Sequence, residues 1–231
     1  MAYKFDTHVH TSETSPCGNL TAADTIALYK KAGYSGLCIT DHYYQDYFES
    51  LEAQSWTERM DQYLTGYHCA RQAGEMAGMS VLLGAELRLE GSNNDYLLFG
   101  VTEQFLYDFP ELYRFDMPRL HSLLQEHHVL IYQAHPYRSN LTRQDPQYLD
   151  GVEVANGNPR HNSHNDLALA FAREHHLRMS GGSDCHEVED VGNSGIMTEK
   201  PITSQEELLL ALQNQSCEII QPPFDVHRQL N

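Results

Sequence analysis

Short apolar runs alternate with helical segments along the chain, and most of the runs carry, at one end, a side chain able to hold a proton or a cation. "YKFDTH" ends at His8, with His10 two residues on. "GLCIT" leads to Asp41 and His42, "SVLLGAEL" carries Glu86, "DYLLFGV" begins at Asp95, and "VLIYQAH" stops at His135. "GVEVA", "LRMSGGSDCH" with Asp184 and His186, and "CEIIQ" complete the series. Between them, "LTAADTIALYKKAGY" offers Thr21 as a cap, Ile26, Tyr29 and Ala32 at helical spacing and Gly33 as a stop. "WTERMDQYLTGYHCARQAGEMAG", "MPRLHSLLQEHH", "HNDLALAFAREHH" and "SQEELLLALQNQ" read as further helices. The alternation predicts an α/β fold, a parallel sheet with helices outside, closed into a barrel of about seven or eight strands. A doubly wound open sheet is the other solution.

In a parallel barrel the C-terminal strand ends share one face, so these polar residues are expected to converge on one mouth. His8 and His10 alternate on a strand, point the same way and can chelate one ion. Histidine with carboxylate suits zinc, manganese or iron, and a carboxylate can bridge two such ions. A single strand-end histidine is more often a capping or surface group, but their joint recurrence makes coincidence a poor explanation. His127, His128, His175 and His176 fall at helix C-termini, where imidazolium favours the dipole, and are set aside, as are His68, His121 and His227.

Composition narrows the function. Against 32 acidic residues stand 15 lysines and arginines, a formal charge of −17 with no basic run, which argues against a nucleic-acid partner. The N-terminal "MAYKFD" lacks a signal-peptide pattern, no stretch approaches a membrane span, and five cysteines show no C-x-x-C spacing. A cytoplasmic protein without disulfides is expected, with residues 1–221 as one domain and 222–231 as a loosely attached tail.

The ordered motifs "DTHVHT", "ITDH", "GAEL", "AHP" and "GSDCH" resemble the PHP family, named for the polymerase and histidinol phosphatase proteins that share it. The resemblance implies a distorted (β/α)7, TIM-like barrel holding two or three divalent ions and hydrolysing phosphoesters. By this resemblance one metal takes His8, His10, Glu86 and Asp184, a second takes Glu86 and His135, and a third takes His42 and His186. His8, His10, Glu86, Asp184 and His186 form the implied catalytic set, and Asp95 is kept as a ligand where many relatives have histidine. Many members also place a histidine or aspartate shortly after H-x-H, where this chain offers Glu13, Ser15 or Cys17.

Phosphate recognition favours guanidinium. Arg138 and Arg160 lie in loops just after strands, with Arg143 a weaker candidate, and Asn156, His161 and Asn162 are candidates to shape the pocket. Asp41 is a candidate to orient a ligand histidine or to cap the following turn. The expected function is a phosphatase or phosphodiesterase acting on a small phosphorylated metabolite through a metal-activated hydroxide. A nuclease or proofreading module and a non-catalytic metal-binding domain are the alternatives.

Overall fold

The computed structural model describes residues 2–223. From the N-terminus the elements are β1 (Tyr3–Val9), α1 (Ala22–Lys31), β2 (Tyr34–Ile39), the two-residue β3 (His42–Tyr43), α2 (Gln45–Ser50), α3 (Trp56–Tyr63) and α4 (Thr65–Ala77). β4 (Ser80–Arg88), β5 (Asp95–Phe99), α5 (Glu103–Asp108), α6 (Met117–Glu126), β6 (Leu130–Gln133) and β7 (Gly151–Asn156) follow. α7 (Asn165–Glu174), β8 (Arg178–Gly182), β9 (Gly195–Thr198), α8 (Gln205–Gln213) and β10 (Glu218–Ile220) complete the order. The tail expected from Pro222 lies, from residue 224 onward, outside the described residues, as does His227.

Sheet order runs β1-β2-β4-β5-β6-β7-β8. The two ends meet where Thr7 Oγ1 donates to the Gly181 carbonyl at 3.0 Å and Val9 bridges Cys185. The result is a nearly closed, distorted (β/α)7 barrel rather than an open doubly wound sheet. Its distortion is β5, which runs antiparallel to both β4 and β6. Alternation of apolar runs carries no strand direction, so the all-parallel expectation fails at this strand. β9 and β10 form an antiparallel extension beside β1.

Local chemistry explains the ends of the helices. Thr21 Oγ1 accepts from the Asp24 amide at 3.2 Å and starts α1, and Gly33 takes φ +79° just past its end. The helix expected over residues 56–78 is two, α3 and α4, broken at Leu64. Gly66, at the start of α4, permits this packing: a Cβ there would lie 1.9 Å from Thr11 Oγ1 and 2.8 Å from Asp41 Oδ2.

Tyr43, Leu98 and Ile131 of the strands share one apolar cluster with Phe48 of α2 and Met60 and Tyr63 of α3, while Phe5, Leu97, Phe99 and Tyr132 pack with Ile196, Leu208 and Leu212. Each such side chain contributes roughly 1.5–3 kcal/mol on burial. That apolar frame carries buried polar groups at or beyond the C-terminal ends of strands, His8, His10, Glu86, His135 and Asp184, with Asp6 and Glu153 buried inside β1 and β7.

Candidate metal centre

His8 and His10 project from the end of β1 with their Nε2 atoms 3.1 Å apart. His8 Nδ1 faces Glu153 Oε1 at 2.9 Å, and His10 Nδ1 faces Ser15 Oγ at 3.2 Å. In the neutral rings both protons are thereby drawn to Nδ1, and two Nε2 lone pairs point at one another. Only a proton or a cation between them relieves that repulsion. Without a cation, burial opposes charge on His8, but Glu153, Glu86 and Asp184 outweigh it and hold its imidazolium well above the ordinary value. Burial and the neighbouring His186 and His42 push His10 well below.

Glu86, at the end of β4, is the hub. Its Oε1 lies 3.2 Å from His8 Nε2 and 3.2 Å from His135 Nε2, and its Oε2 lies 3.4 Å from His10 Nε2 and 2.7 Å from His42 Nδ1. Burial would raise its carboxyl, yet the charges of His8 and His42 hold it well below the usual carboxylate range. The pairing of β3 with β4 puts His42 opposite Glu86 in register. Asp184 follows β8, its Oδ1 3.5 Å from His8 Nε2, 3.4 Å from His10 Nε2 and 3.3 Å from His186 Nδ1. Burial opposes ionisation of Asp184 too, but Arg138 and His8 keep it well below its usual range. His135 and Asp184 adopt φ +29° and +50°, uncommon for non-glycine residues and concentrated at functional sites.

Three overlapping donor groups result: His8, His10 and Asp184; His8, Glu86 and His135; His10, His42 and His186, with donor atoms within 4.8 Å of one another in each. Glu86 Oε2, His42 Nδ1 and His135 Nδ1 are buried and make no hydrogen bond. Carboxylate and imidazole donors at these separations, with orphaned buried atoms among them, fit divalent cations of the zinc, manganese or iron type.

Residues 162–217 match the family model described as PHP-associated. PsfC from Pseudomonas syringae PB-5123 superposes with a TM-score of 0.67 at 21% identity, over 96% of this chain and 92% of that one. A two-domain protein from Bacteroides vulgatus containing a predicted PHP-like metal-dependent phosphoesterase gives 0.66 at 18% identity, over 96% of this chain and 65% of its own. The chain carries the PHP fold. The lesion-specific endonuclease EndoQ of Pyrococcus furiosus shares that architecture at a TM-score of 0.61 and 14% identity, over 95% of this chain and 58% of its own. The chain thus spans just under two thirds of the Bacteroides protein. A comparison with curated proteins finds no match.

Within the PHP barrel, His8, His10, His42, Glu86, His135, Asp184 and His186 come together as expected. Asp95 lines the same cleft but belongs to none of the three donor groups. The antiparallel β5 brings its N-terminus to the site face, but there Asp95 is gripped by Arg88, Nε to Oδ1 at 2.7 Å and Nη2 to Oδ2 at 2.9 Å. Arg138 lines the cleft, donating through Nη2 to Asp184 and to Asn156 Oδ1 (2.8 Å) and through Nε to Ser163 Oγ (3.1 Å). Arg160 and His161 also line the cleft, about 380 Å³ in volume, but Arg160 is clamped by Asp190 at 2.6 and 2.7 Å. Burial and Arg138 lower the His161 imidazole below its ordinary value. Asn162 lines an adjoining chamber of about 720 Å³, while Arg143 stacks on Tyr137 at 5.4 Å.

Two residues behind the site were not singled out from the sequence. Glu153, buried within β7, binds His8 Nδ1 and accepts from the His135 amide at 3.0 Å and from Asn156 Nδ2 at 2.9 Å. Asp6, also within a strand, accepts from the His8 and Ser183 amides and from Tyr29 Oη at 2.8–3.0 Å. A lone acid inside an apolar strand was the available signal for both. Asp41 acts through an intermediary: Ser15 Oγ donates to Asp41 Oδ1 at 2.7 Å and faces His10 Nδ1. The histidines set aside lie elsewhere: His127 and His175 cap helix C-termini, His68 pairs with Glu103 at 3.1 Å, and His121 packs on Tyr148.

Glu13 accepts from the Ala22 amide at 2.9 and 3.0 Å, anchoring the start of α1. Cys17 instead lines the cleft; burial would raise its thiol, but the neighbouring His186 and His42 lower it to about 6. All five cysteines are free, and among the described residues no helix is long and apolar enough to cross a membrane.

Proposed function

We propose that this protein is a metal-dependent hydrolase of phosphoester bonds, acting on a small phosphorylated metabolite. The observation that carries it is Glu86, one buried carboxylate facing four histidines, His8, His10, His42 and His135, within 3.4 Å. That is the arrangement of a carboxylate shared between cations. Divalent ions held there would supply Lewis-acid activation of water and of phosphoryl oxygens.

The remaining roles fall to the chain's own groups. Glu153 keeps the His8 proton on Nδ1 so that Nε2 faces the centre, and Ser15, backed by Asp41, does the same for His10. Arg138, held on the cleft wall by Asp184, Asn156 and Ser163, presents a guanidinium to an anionic substrate. His161 stands beside it as an imidazole able to take or give a proton on the substrate side of the cleft. The cleft and its adjoining chamber suit a compact substrate, and the −17 charge disfavours a polyanion. EndoQ shares the architecture, so single-stranded DNA belongs in the test.

The protein, loaded with zinc, manganese or iron, is assayed on a panel of small phosphomonoesters, a phosphodiester and single-stranded DNA. Phosphate release from a small ester, abolished by Glu86→Gln, is expected. Degradation of DNA with inert small esters would replace this reading by a nuclease, and inertness on the whole panel would leave a non-catalytic metal-binding domain.

A further inference from the structure

The chamber of about 720 Å³ shares His135, Arg138 and His161 with the metal cleft, so an ester held in the cleft has room there for its alcohol end. Asn93, from the turn between β4 and β5, lines it together with Ser139 and Asn140 from the stretch after β6 and Asn162 from the loop before α7. These four side chains are uncharged, and each can donate and accept hydrogen bonds. The charged groups on the same wall are already matched. Asp95 accepts from Arg88 Nε and Nη2 at 2.7 and 2.9 Å, and Asp190 accepts from both Nη atoms of Arg160 at 2.6 and 2.7 Å. A second anion in the chamber would have to break one of these pairs, and a cation would meet Asp95 already bound.

Buried amide side chains fix the shape of this wall. Gln133, wholly buried at the end of β6, donates through Nε2 to the Thr142 carbonyl at 2.7 Å and accepts from the Gln144 amide at 2.9 Å. Asn94, also buried, accepts from the Thr142 amide at 2.9 Å, and Tyr96 Oη donates to Gln144 Oε1 at 2.9 Å. Asn93 Nδ2 reaches the Asn140 carbonyl at 3.4 Å and joins the two loops. These buried groups are satisfied in one loop conformation, so the chamber is shaped before a ligand arrives and little ordering cost falls on binding. Tyr137 adds an aromatic surface suited to the C–H side of a ring.

We infer that the chamber holds the alcohol part of the substrate and takes an uncharged, hydroxyl-rich group, so that the ester hydrolysed is the monophosphate of a sugar or polyol. The inference rests on the phosphoesterase reading above and names the substrate class within it. Amides that both donate and accept match hydroxyls that do the same, and a hydroxyl-free alcohol would leave them unpaired. In the reaction the ester phosphorus–oxygen bond breaks, water supplies the new oxygen of the phosphate, and a proton from that water leaves on the alcohol.

The full chain, loaded with zinc, manganese or iron, is assayed on two matched pairs of monoesters. Glucose 6-phosphate is set against cyclohexylmethyl phosphate, and glycerol 3-phosphate against propyl phosphate, each second member lacking the hydroxyls. Glucose 1,6-bisphosphate adds a second anion. In at least one pair the hydroxylated ester should exceed its partner by about tenfold or more in kcat/KM, and glucose 6-phosphate should exceed the bisphosphate. Asn93→Leu and Asn162→Leu, on separate loops, should each lower the ratio within that pair by about threefold to tenfold, the worth of one hydrogen bond. Ser139→Lys, which adds an unmatched cation, should move the preference toward the bisphosphate. Partners without hydroxyls turned over as well as the hydroxylated esters, a bisphosphate preferred by wild type, or ratios that these variants leave unchanged would overturn the inference and leave the phosphoesterase reading in place. Inertness toward every ester would overturn both.

Discussion

The floor and the rim of the cleft are built on opposite terms. On the floor, His8, His10 and Glu86 are almost wholly buried, and the two histidines are each backed by a further polar group, Glu153 for His8 and Ser15 with Asp41 for His10. On the rim, Arg88 and Arg160 are about a third exposed, and each cation is held by a carboxylate rather than by packing. The contrast separates two tasks. The floor holds donor atoms in one orientation because strands and a buried hydrogen-bonded layer leave no alternative. The rim arranges charge at strand ends and on loops, with its arginines partly open to solvent, where ion pairs are screened and individually weak.

Mutations should respect that division. Asp184→Ala removes a carboxylate facing His8, His10 and His186 and should lower kcat/KM by about a thousandfold or more, measured on whichever small ester turns over. Glu153→Gln touches no substrate, yet should weaken cation affinity about 10–100-fold by titration with a competing chelator, since an amide does not enforce the His8 tautomer. Retention of full affinity would show that the buried layer is packing only. Arg138→Ala should cost on the order of 10–100-fold in kcat/KM, the range for a hydrogen bond to a charged group. Arg160→Ala, on the rim, should change kcat/KM only a few-fold, because the arginine's charge is already spent on Asp190. An effect of Arg160→Ala as large as that of Arg138→Ala would erase the distinction between wall and rim.

Much of the floor was legible in the sequence because polar residues closing apolar strands have one place to go in a barrel: the face where the strand ends meet. His8, His10, His42, Glu86, His135, Asp184 and His186 were found that way. Asp95 opens its strand yet reaches the same face because β5 runs antiparallel, and there it is paired with Arg88. Glu153 and Asp6 gave only the weak signal of a lone acid in an apolar strand. They lie within strands rather than at their ends, and only the three-dimensional pairing shows that one backs His8 and the other braces the His8 and Ser183 amides. That Cys17 rather than Glu13 lines the cleft follows from Glu13 being drawn away to anchor α1, a contact no spacing rule foretells.

The central claim is that Glu86 is shared between cations. Equilibrium dialysis against zinc followed by elemental analysis tests it without reference to substrate. The account predicts at least two zinc ions per wild-type chain and a loss of more than one in Glu86→Ala, because one carboxylate serves neighbouring ions. A wild-type chain that binds none, or a Glu86→Ala chain that binds as many as wild type, would contradict it.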